Sequence, residues 1–382
     1  MKNKRTWVVA LLSVAAATAS GRARAADAPA VPTLAVGALA PDFDLPGVDG
    51  RMHSLKEYAA ARVLVIVFTC NHCPTAQAYE ERIQKLRDDF APKGATLVAI
   101  SPNDPKAVRL DELGYTDLSD SLEEMKIRAR ERHFTFPYLY DGETQAVAHL
   151  YGPTATPHVF VFDRDRKLRF AGRVDDGENP AKVTVSDARN AIAAVLAGQP
   201  VPVEKTKVFG CSIKWAEKKS WLAEGEKKWA QEEVALTPID AAGLRALAAN
   251  DSGKLRIVNV WATWCGPCQV EFPDLITVYR MYRGRGLELA TVSADALDKS
   301  TPVLAFLKEQ RASGRNHIFD KADPYALIDP VDPKWQGELP HTVVVAPGGR
   351  VVYRSDGAFD PLALRKAIVG YYGRYYHSVA GQ

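Results

Sequence analysis

The sequence predicts an α/β chain built twice over, each half a central mixed sheet flanked by helices. Three observations predict it. Two short, continuous apolar runs, Arg62 to Thr69 and Leu255 to Trp261, read as buried strands. Each run leads within a few residues into a CxxC motif and then into a helical pattern. Each half also carries an X-Pro step, Thr156-Pro157 and Leu339-Pro340, at the entry to a later strand.

In the first half, Cys70-Asn71-His72-Cys73 follows the opening strand, and Tyr79, Ile83, Leu86 and Phe90 repeat on one face of a helix over Ala76 to Phe90. Ala95 to Ile100 reads as a strand and Ser121 to Arg132 as a charged helix. A hairpin follows from His158 to Phe162 and Lys167 to Ala171, then a helix from Val185 to Leu196 closed by Gly198 and Pro200. The second half repeats the order. Cys265-Gly266-Pro267-Cys268 follows its opening strand, a helix covers Phe272 to Arg283, and a strand covers Leu287 to Ser293. Val303 to Gln310 reads as a helix, His341 to Val345 and Arg350 to Arg354 as a hairpin, and Leu362 to Tyr372 as the last helix. The repeat lies in the order of elements, since the halves differ residue for residue. Between them, Val203 to Val234 holds Cys211 and a Lys/Glu/Trp-rich stretch with Trp221 and Trp229, which reads as a charged helical linker. The expected organisation is a signal segment at 1–25, domains at 26–203 and 235–382, and the linker at 204–234.

The signal reading rests on Lys2, Lys4 and Arg5, the uncharged run Trp7 to Ala19, and the small-x-small site Ala23-Arg24-Ala25. That run is too short to span a bilayer comfortably. Cleavage after Ala25 removes five positive charges and no acids, taking the formal net charge from +3 to −2. The expectation is a periplasmic or secreted protein, where disulfides persist. With 382 residues, 25% charged and 47% hydrophobic, the composition excludes a disordered tail, a collagen-like fibre and a multi-span membrane protein. Lys+Arg at 49 against Asp+Glu at 46 gives no nucleic-acid footprint. Five cysteines are too few for a disulfide scaffold in a chain this long.

VNVWATWCGPCQVEFPDL, Val258 to Leu275, resembles the TlpA-like exported reductases of the thioredoxin superfamily. Trp264, Pro273 and Leu339-Pro340 carry the likeness, with Asn259 in place of a buried acid and Glu271 after the motif. The first half is similar to peroxiredoxin-like, AhpC/TSA-type redoxins through Gly37-x-x-x-Pro41-Asp42-Phe43, Phe68 to Ile83 and Thr156 to Asp176. The resemblance implies two tandem thioredoxin-like domains, cis peptides before Pro157 and Pro340, and protein thiols and disulfides as partners with an upstream thiol reductant. It implies no cofactor. Neither Cys70 nor Cys73 has Thr or Ser three residues before it, which counts against peroxidase chemistry.

Thiol–disulfide exchange needs a thiolate. A cysteine at a strand-to-helix junction has its pKa lowered by the helix N-terminus. By position, Cys265 is expected as nucleophile and Cys268 as resolver, forming one redox disulfide, with Cys70 and Cys73 taking the same roles in a second. Pro74, lacking an N–H, is a reason for the first helix to begin later. His72 beside a thiolate favours the dithiol form and makes the first pair the better oxidant than the Gly-Pro pair. An internal relay from Cys265/Cys268 to Cys70/Cys73 is therefore expected. Alternatives are a copper(I) or metallochaperone module at the two first-half thiols with His72, and a thiol peroxidase. Glu271 reads as a surface helix charge or a proton shuttle, and Cys211 as a buried or bridging thiol or a third redox cysteine.

Overall fold

The computed structural model describes residues 31–218, 220–321 and 323–374. The expected signal segment, 1–25, lies outside the described residues. A hairpin, β1 (Asp44–Pro46) and β2 (Met52–Ser54), opens the first half. Then come β3 (Val63–Phe68), α1 (Pro74–Phe90), β4 (Ala95–Ser101), α2 (Leu122–Glu131) and β5 (Tyr138–Tyr140). They are followed by α3 (Ala146–Tyr151), β6 (Ala155–Thr156), β7 (His158–Phe162), β8 (Leu168–Gly172) and α4 (Asp187–Leu196). The connecting segment holds β9 (Cys211–Ser212) and α5 (Ser220–Ala230). The second half runs β10 (Thr237–Ile239), α6 (Ala241–Ala249), β11 (Arg256–Trp261), α7 (Gly266–Tyr282), β12 (Glu288–Ser293) and α8 (Ser300–Glu309). It ends with β13 (Arg315–Phe319), α9 (Ile328–Val331), β14 (His341–Val345), β15 (Val351–Asp356) and α10 (Pro361–Tyr372).

Two mixed sheets result, ordered β5-β4-β3-β7-β8 and β10-β13-β12-β11-β14-β15. In each, the strand before the CxxC lies between a parallel and an antiparallel neighbour. β3 is buried along its whole length because both faces are covered. Val63, Val65 and Val67 enter one apolar cluster, while Leu64, Ile66 and Phe68 enter another. β11 does the same with Ile257 and Trp261 on one side and Val258 and Val260 on the other. The elements not read from sequence are β1, β2, β5, β6, β9, β10, β13 and the short helices α3, α6 and α9. The three-residue and shorter strands are too brief to show periodicity.

α7 begins at Gly266, six residues before the expected start, and carries Pro273 inside it. Pro267 is in the first turn, where a missing N–H costs nothing.

The connecting segment is held against both halves. Its first part lies on the first half: β9 pairs antiparallel with β6, and Lys214 N–H donates to Asn103 Oδ1 at 2.9 Å. Its second part lies on the second half. The Arg280 guanidinium sits 4.5 Å from the Trp229 ring centre, and Glu232 makes a bidentate pair with Arg283. The charges of this stretch are therefore partly engaged by arginines of α7 and its C-terminal turn. The side chain of Trp221 lies outside the described residues.

The halves also meet directly. Val108 and Leu113, between β4 and α2, pack into the same apolar cluster as α7 and β11. Tyr282 Oη donates to the Thr116 carbonyl at 2.6 Å, and buried Asp117 accepts from both Arg128 and Arg374. A Cβ on Gly114 would come 2.9 Å from the Met281 carbonyl oxygen. Gly114→Val is therefore expected to destabilise the protein by about 1–3 kcal/mol through overpacking. Denaturant midpoints of the two proteins check this.

Candidate active site

Each site is built at the C-terminal end of the sheet's central strand. In the first half Phe68 pairs with His158, and in the second Val260 pairs with His341. The preceding Thr156-Pro157 and Leu339-Pro340 bonds are both cis. Pro157 and Pro340 thus stand at matching places, next to the strand ends from which the CxxC motifs leave.

In the second half Cys265 caps α7, its Sγ accepting the Cys268 N–H at 3.2 Å. Cys265 and Cys268 form a disulfide. Cys268 is fully buried, Cys265 is 6% exposed, and the Trp264 beside it is 66% exposed, which marks this as the face open to a partner. Glu271, three residues past Cys268, turns inward on α7. It is buried, not a surface charge. Asn259 Nδ2 donates to one carboxyl oxygen and the Phe359 N–H to the other, both at 3.0 Å. Burial pushes its pKa up to about 7, against the pull of those two donors. Asn259, from the middle of β11, also donates to Thr342 Oγ1 at 2.9 Å.

The first half differs in where its helix begins. Pro74 occupies the first helical position of α1, and Cys73 is the N-cap, its Sγ accepting from the Ala76 N–H at 3.4 Å. The cysteine that matches Cys265 by capping is therefore Cys73. Cys70, expected by position as the nucleophile, precedes the helix cap instead of forming it. Proline can open a helix at its first turn but not extend it backwards over the motif. Electrostatics agree. Burial raises the pKa of Cys73, but contacts from the Cys211 and Cys70 thiols, the charge of His72 and the Ala76 N–H together hold it well below the ordinary thiol value. Cys70 goes the other way, pushed well up by burial, by its contact with Cys73 and by the nearby Asp120 carboxylate. Cys70 and Cys73 are in the dithiol form, with Cys211 packed beside them.

His72 is held by a residue that sequence reading did not single out. Asp120 is completely buried and lies 2.5 Å from His72 Nδ1. It also accepts from the backbone N–H groups of Asn71 and His72 and from Asn103 Nδ2. Burial opposes the charged form of the imidazole, but the Asp120 charge and hydrogen bond outweigh it and raise the His72 pKa. The same partners keep Asp120 ionised below the usual carboxylate range, against its burial. Asp120 is 48 positions from His72, so no local spacing announced it. Thr156 completes the site, its Oγ1 3.2 Å from Cys70 Sγ and its carbonyl oxygen 3.4 Å from Cys73 Sγ. His158, by contrast, accepts the Thr154 N–H at Nδ1, and burial brings its pKa down to about 4. It is a neutral structural residue.

Central strand, capped CxxC helix and neighbouring cis proline, found twice, define a protein of two thioredoxin-fold redoxin units. The chain belongs to the AhpC/TSA family, whose model matches residues 36–171 and 237–354. Over 113 residues it is 29% identical to the thiol-disulfide oxidoreductase ResA of Bacillus subtilis, covering 30% of this chain and 59% of that protein. Over 142 residues it is 33% identical to the thiol:disulfide interchange protein HelX of Rhodobacter capsulatus, covering 35% and 70%. The chain thus spans 59% of the length of the first of these curated relatives. A solved structure of an uncharacterized conserved protein from Geobacillus kaustophilus is 39% identical, covering 47% of this chain and 92% of that one with a TM-score of 0.43.

Two outcomes follow from the buried acids. A carboxyl whose pKa is about 7 folded and about 4.3 unfolded adds stability that is complete below about pH 4 and lost as pH rises through 7. Wild-type protein is therefore expected to lose stability between pH 5 and pH 8 relative to Glu271→Gln, checked by unfolding both proteins at the two pH values. In the first half, Asp120→Asn leaves His72 neutral near pH 7 and removes a cation from beside Cys73. The Cys73 titration, followed by thiolate ultraviolet absorbance, is expected to move to higher pH.

Proposed function

We propose that the protein is an exported thiol–disulfide oxidoreductase with two redox-active pairs. The observation that carries this is the Cys265–Cys268 disulfide at the N-terminus of α7, with exposed Trp264 beside it. The names of the ResA and HelX relatives support the activity. The dithiol form reduces a substrate in two steps. The Cys265 thiolate attacks one sulfur of a protein disulfide and releases the other as a thiolate. Cys268 then attacks the Cys265 sulfur, frees the second substrate thiol and leaves the Cys265–Cys268 disulfide. Glu271, one turn along from Cys268 with a pKa near neutrality, takes the proton that Cys268 must lose. Trp264 and the chain beside Pro340 contact the partner. An upstream thiol reductant returns the pair to the dithiol.

In the same reading residues 26–203 and 235–382 are two domains, and electrons pass from Cys265/Cys268 to Cys70/Cys73. The His72–Asp120 pair supports this direction. It stabilises a thiolate at Cys73 and hence the reduced state of the first pair, which raises that pair's potential. The basic, apolar and small-residue segments within residues 1–25 support export to the periplasm or beyond.

The test uses the full chain. Cys265→Ser is expected to abolish reduction of a protein disulfide, and Cys268→Ser to trap the mixed disulfide. With one pair at a time changed to serine, the remaining second pair should be more reducing than the first by roughly 60 mV or more. Full activity in Cys265→Ser would end the role assignment, and equal potentials would end the relay.

A second reading has one observation behind it. A sulfur of Cys70, a ring nitrogen of His72 and a carboxylate oxygen of Asp120, all buried, lie within 4.8 Å of one another. Of that set the thiol and the imidazole suit a soft metal such as copper(I), once the His72–Asp120 hydrogen bond gives way, and the carboxylate does not. Copper bound in stoichiometric amount by the purified, reduced chain would favour it.

A further inference from the structure

Cys70 and Cys73 are both buried, 3% and 0% exposed. Cys211 is the half-buried member of the cluster. It sits in β9, directly opposite Thr156 in β6. Its backbone N–H donates to Cys73 Sγ at 3.4 Å, and its thiol is in hydrogen-bond contact with the same sulfur. Cys73 contacts both of the other sulfurs, and Cys211 is the more exposed of its two neighbours.

The strand that carries Cys211 is built to hold this place. Gly210 has φ +136°, and a Cβ there would lie 2.0 Å from the Thr156 carbonyl oxygen, so only glycine lets β9 approach this closely. Beyond Cys211, the Lys214 carbonyl accepts from the Asp104 N–H and from Gln145 Nε2 at 2.9 Å. Trp215 stacks on His149 at 4.4 Å. Before it, the Glu204 carbonyl accepts from the Ala171 N–H. The segment is anchored on both sides of the cysteine and positions one sulfur.

We propose that Cys211 is the entry thiol of the first site, the group through which the buried pair exchanges disulfides with low-molecular-weight disulfides or with a partner protein. This rests on the reading of Cys70/Cys73 as a redox pair. In the oxidising direction the Cys211 thiolate attacks an external disulfide, forming a Cys211 mixed disulfide and releasing one external thiolate. The Cys73 thiolate attacks the Cys211 sulfur, forming Cys73–Cys211 and releasing the second. Cys70 gives its proton to a released external thiolate and attacks the Cys73 sulfur, forming Cys70–Cys73 and returning Cys211 as a thiolate. Each step makes one S–S bond and breaks one. The sum is two internal thiols oxidised and one external disulfide reduced to two thiols. The low-pKa Cys73 suits the middle position, since it is both a ready thiolate and a good leaving group.

The experiment uses the full chain with Cys265→Ser and Cys268→Ser, so that only these three cysteines remain. Reduced protein is mixed with oxidised glutathione, quenched with acid at intervals, and mapped by peptide mass spectrometry. Glutathione is expected first on Cys211, then a Cys73–Cys211 linkage, then Cys70–Cys73. Adding Cys73→Ser should leave a stable Cys211 adduct. Adding Cys211→Ala should slow formation of Cys70–Cys73 by about tenfold or more. Gly210→Val keeps all three cysteines, pushes the strand off Thr156, and should place the first adduct on Cys73. A first adduct on Cys70 or Cys73 in the parent protein would overturn the proposal. So would undiminished oxidation of the pair in Cys211→Ala. If no cysteine of a folded parent protein reacts, the redox reading of the first site falls too, which separates the two failures.

Discussion

In both halves a cysteine sulfur caps the helix that follows the central strand, and the chemistry of each site depends on which cysteine does so. A cap accepts backbone N–H groups that the first turn cannot satisfy internally, so the capping sulfur is the one favoured as an anion. In the second half the helix starts inside the motif and Cys265 caps it. In the first half Pro74 fixes the start three residues later in the motif and Cys73 caps it. One proline thus changes which of two equally spaced cysteines caps its helix.

The two sites then solve the problem of a buried charge differently. The first uses a complete ionic set, with Asp120 satisfied by two backbone donors, Asn103 and His72, and His72 placed to stabilise a sulfur anion. The second gives Glu271 two donors and no cation, so burial dominates and the carboxyl becomes a group that titrates near neutrality. The first site keeps its buried acid paired with a base, while the second holds a carboxyl that exchanges a proton near pH 7.

Much of this was legible in the sequence. The central strands are short, continuous apolar runs whose residues face two cores, and the sequence places each to within one residue at either end. The CxxC motifs and the two prolines carry their own local signals. The late start of the first helix was foreshadowed by Pro74, though its consequence for Cys73 was not drawn. Asp120 was not legible, because nothing near residue 120 points to residue 72 and only the folded sheet brings them together. Glu271 was ambiguous for a related reason. One polar residue on a helix shows its face only when the helix start is known, and Pro273 obscured that start. The placement of Cys211 depends on β9, a two-residue strand with no periodicity to read.

The contact between the halves bears on how the chain is made. Asp117, fully buried in the first half, is paired partly by Arg128 nearby and partly by Arg374, 257 positions further along the chain. Val108 and Leu113 likewise find their apolar surroundings only when α7 arrives. During synthesis the first half therefore emerges with part of its surface apolar and one buried acid short of a partner. It reaches its final state only after Arg374 has been added. A chain truncated near its end would lose the Arg374 contact and weaken a half whose own sequence is intact.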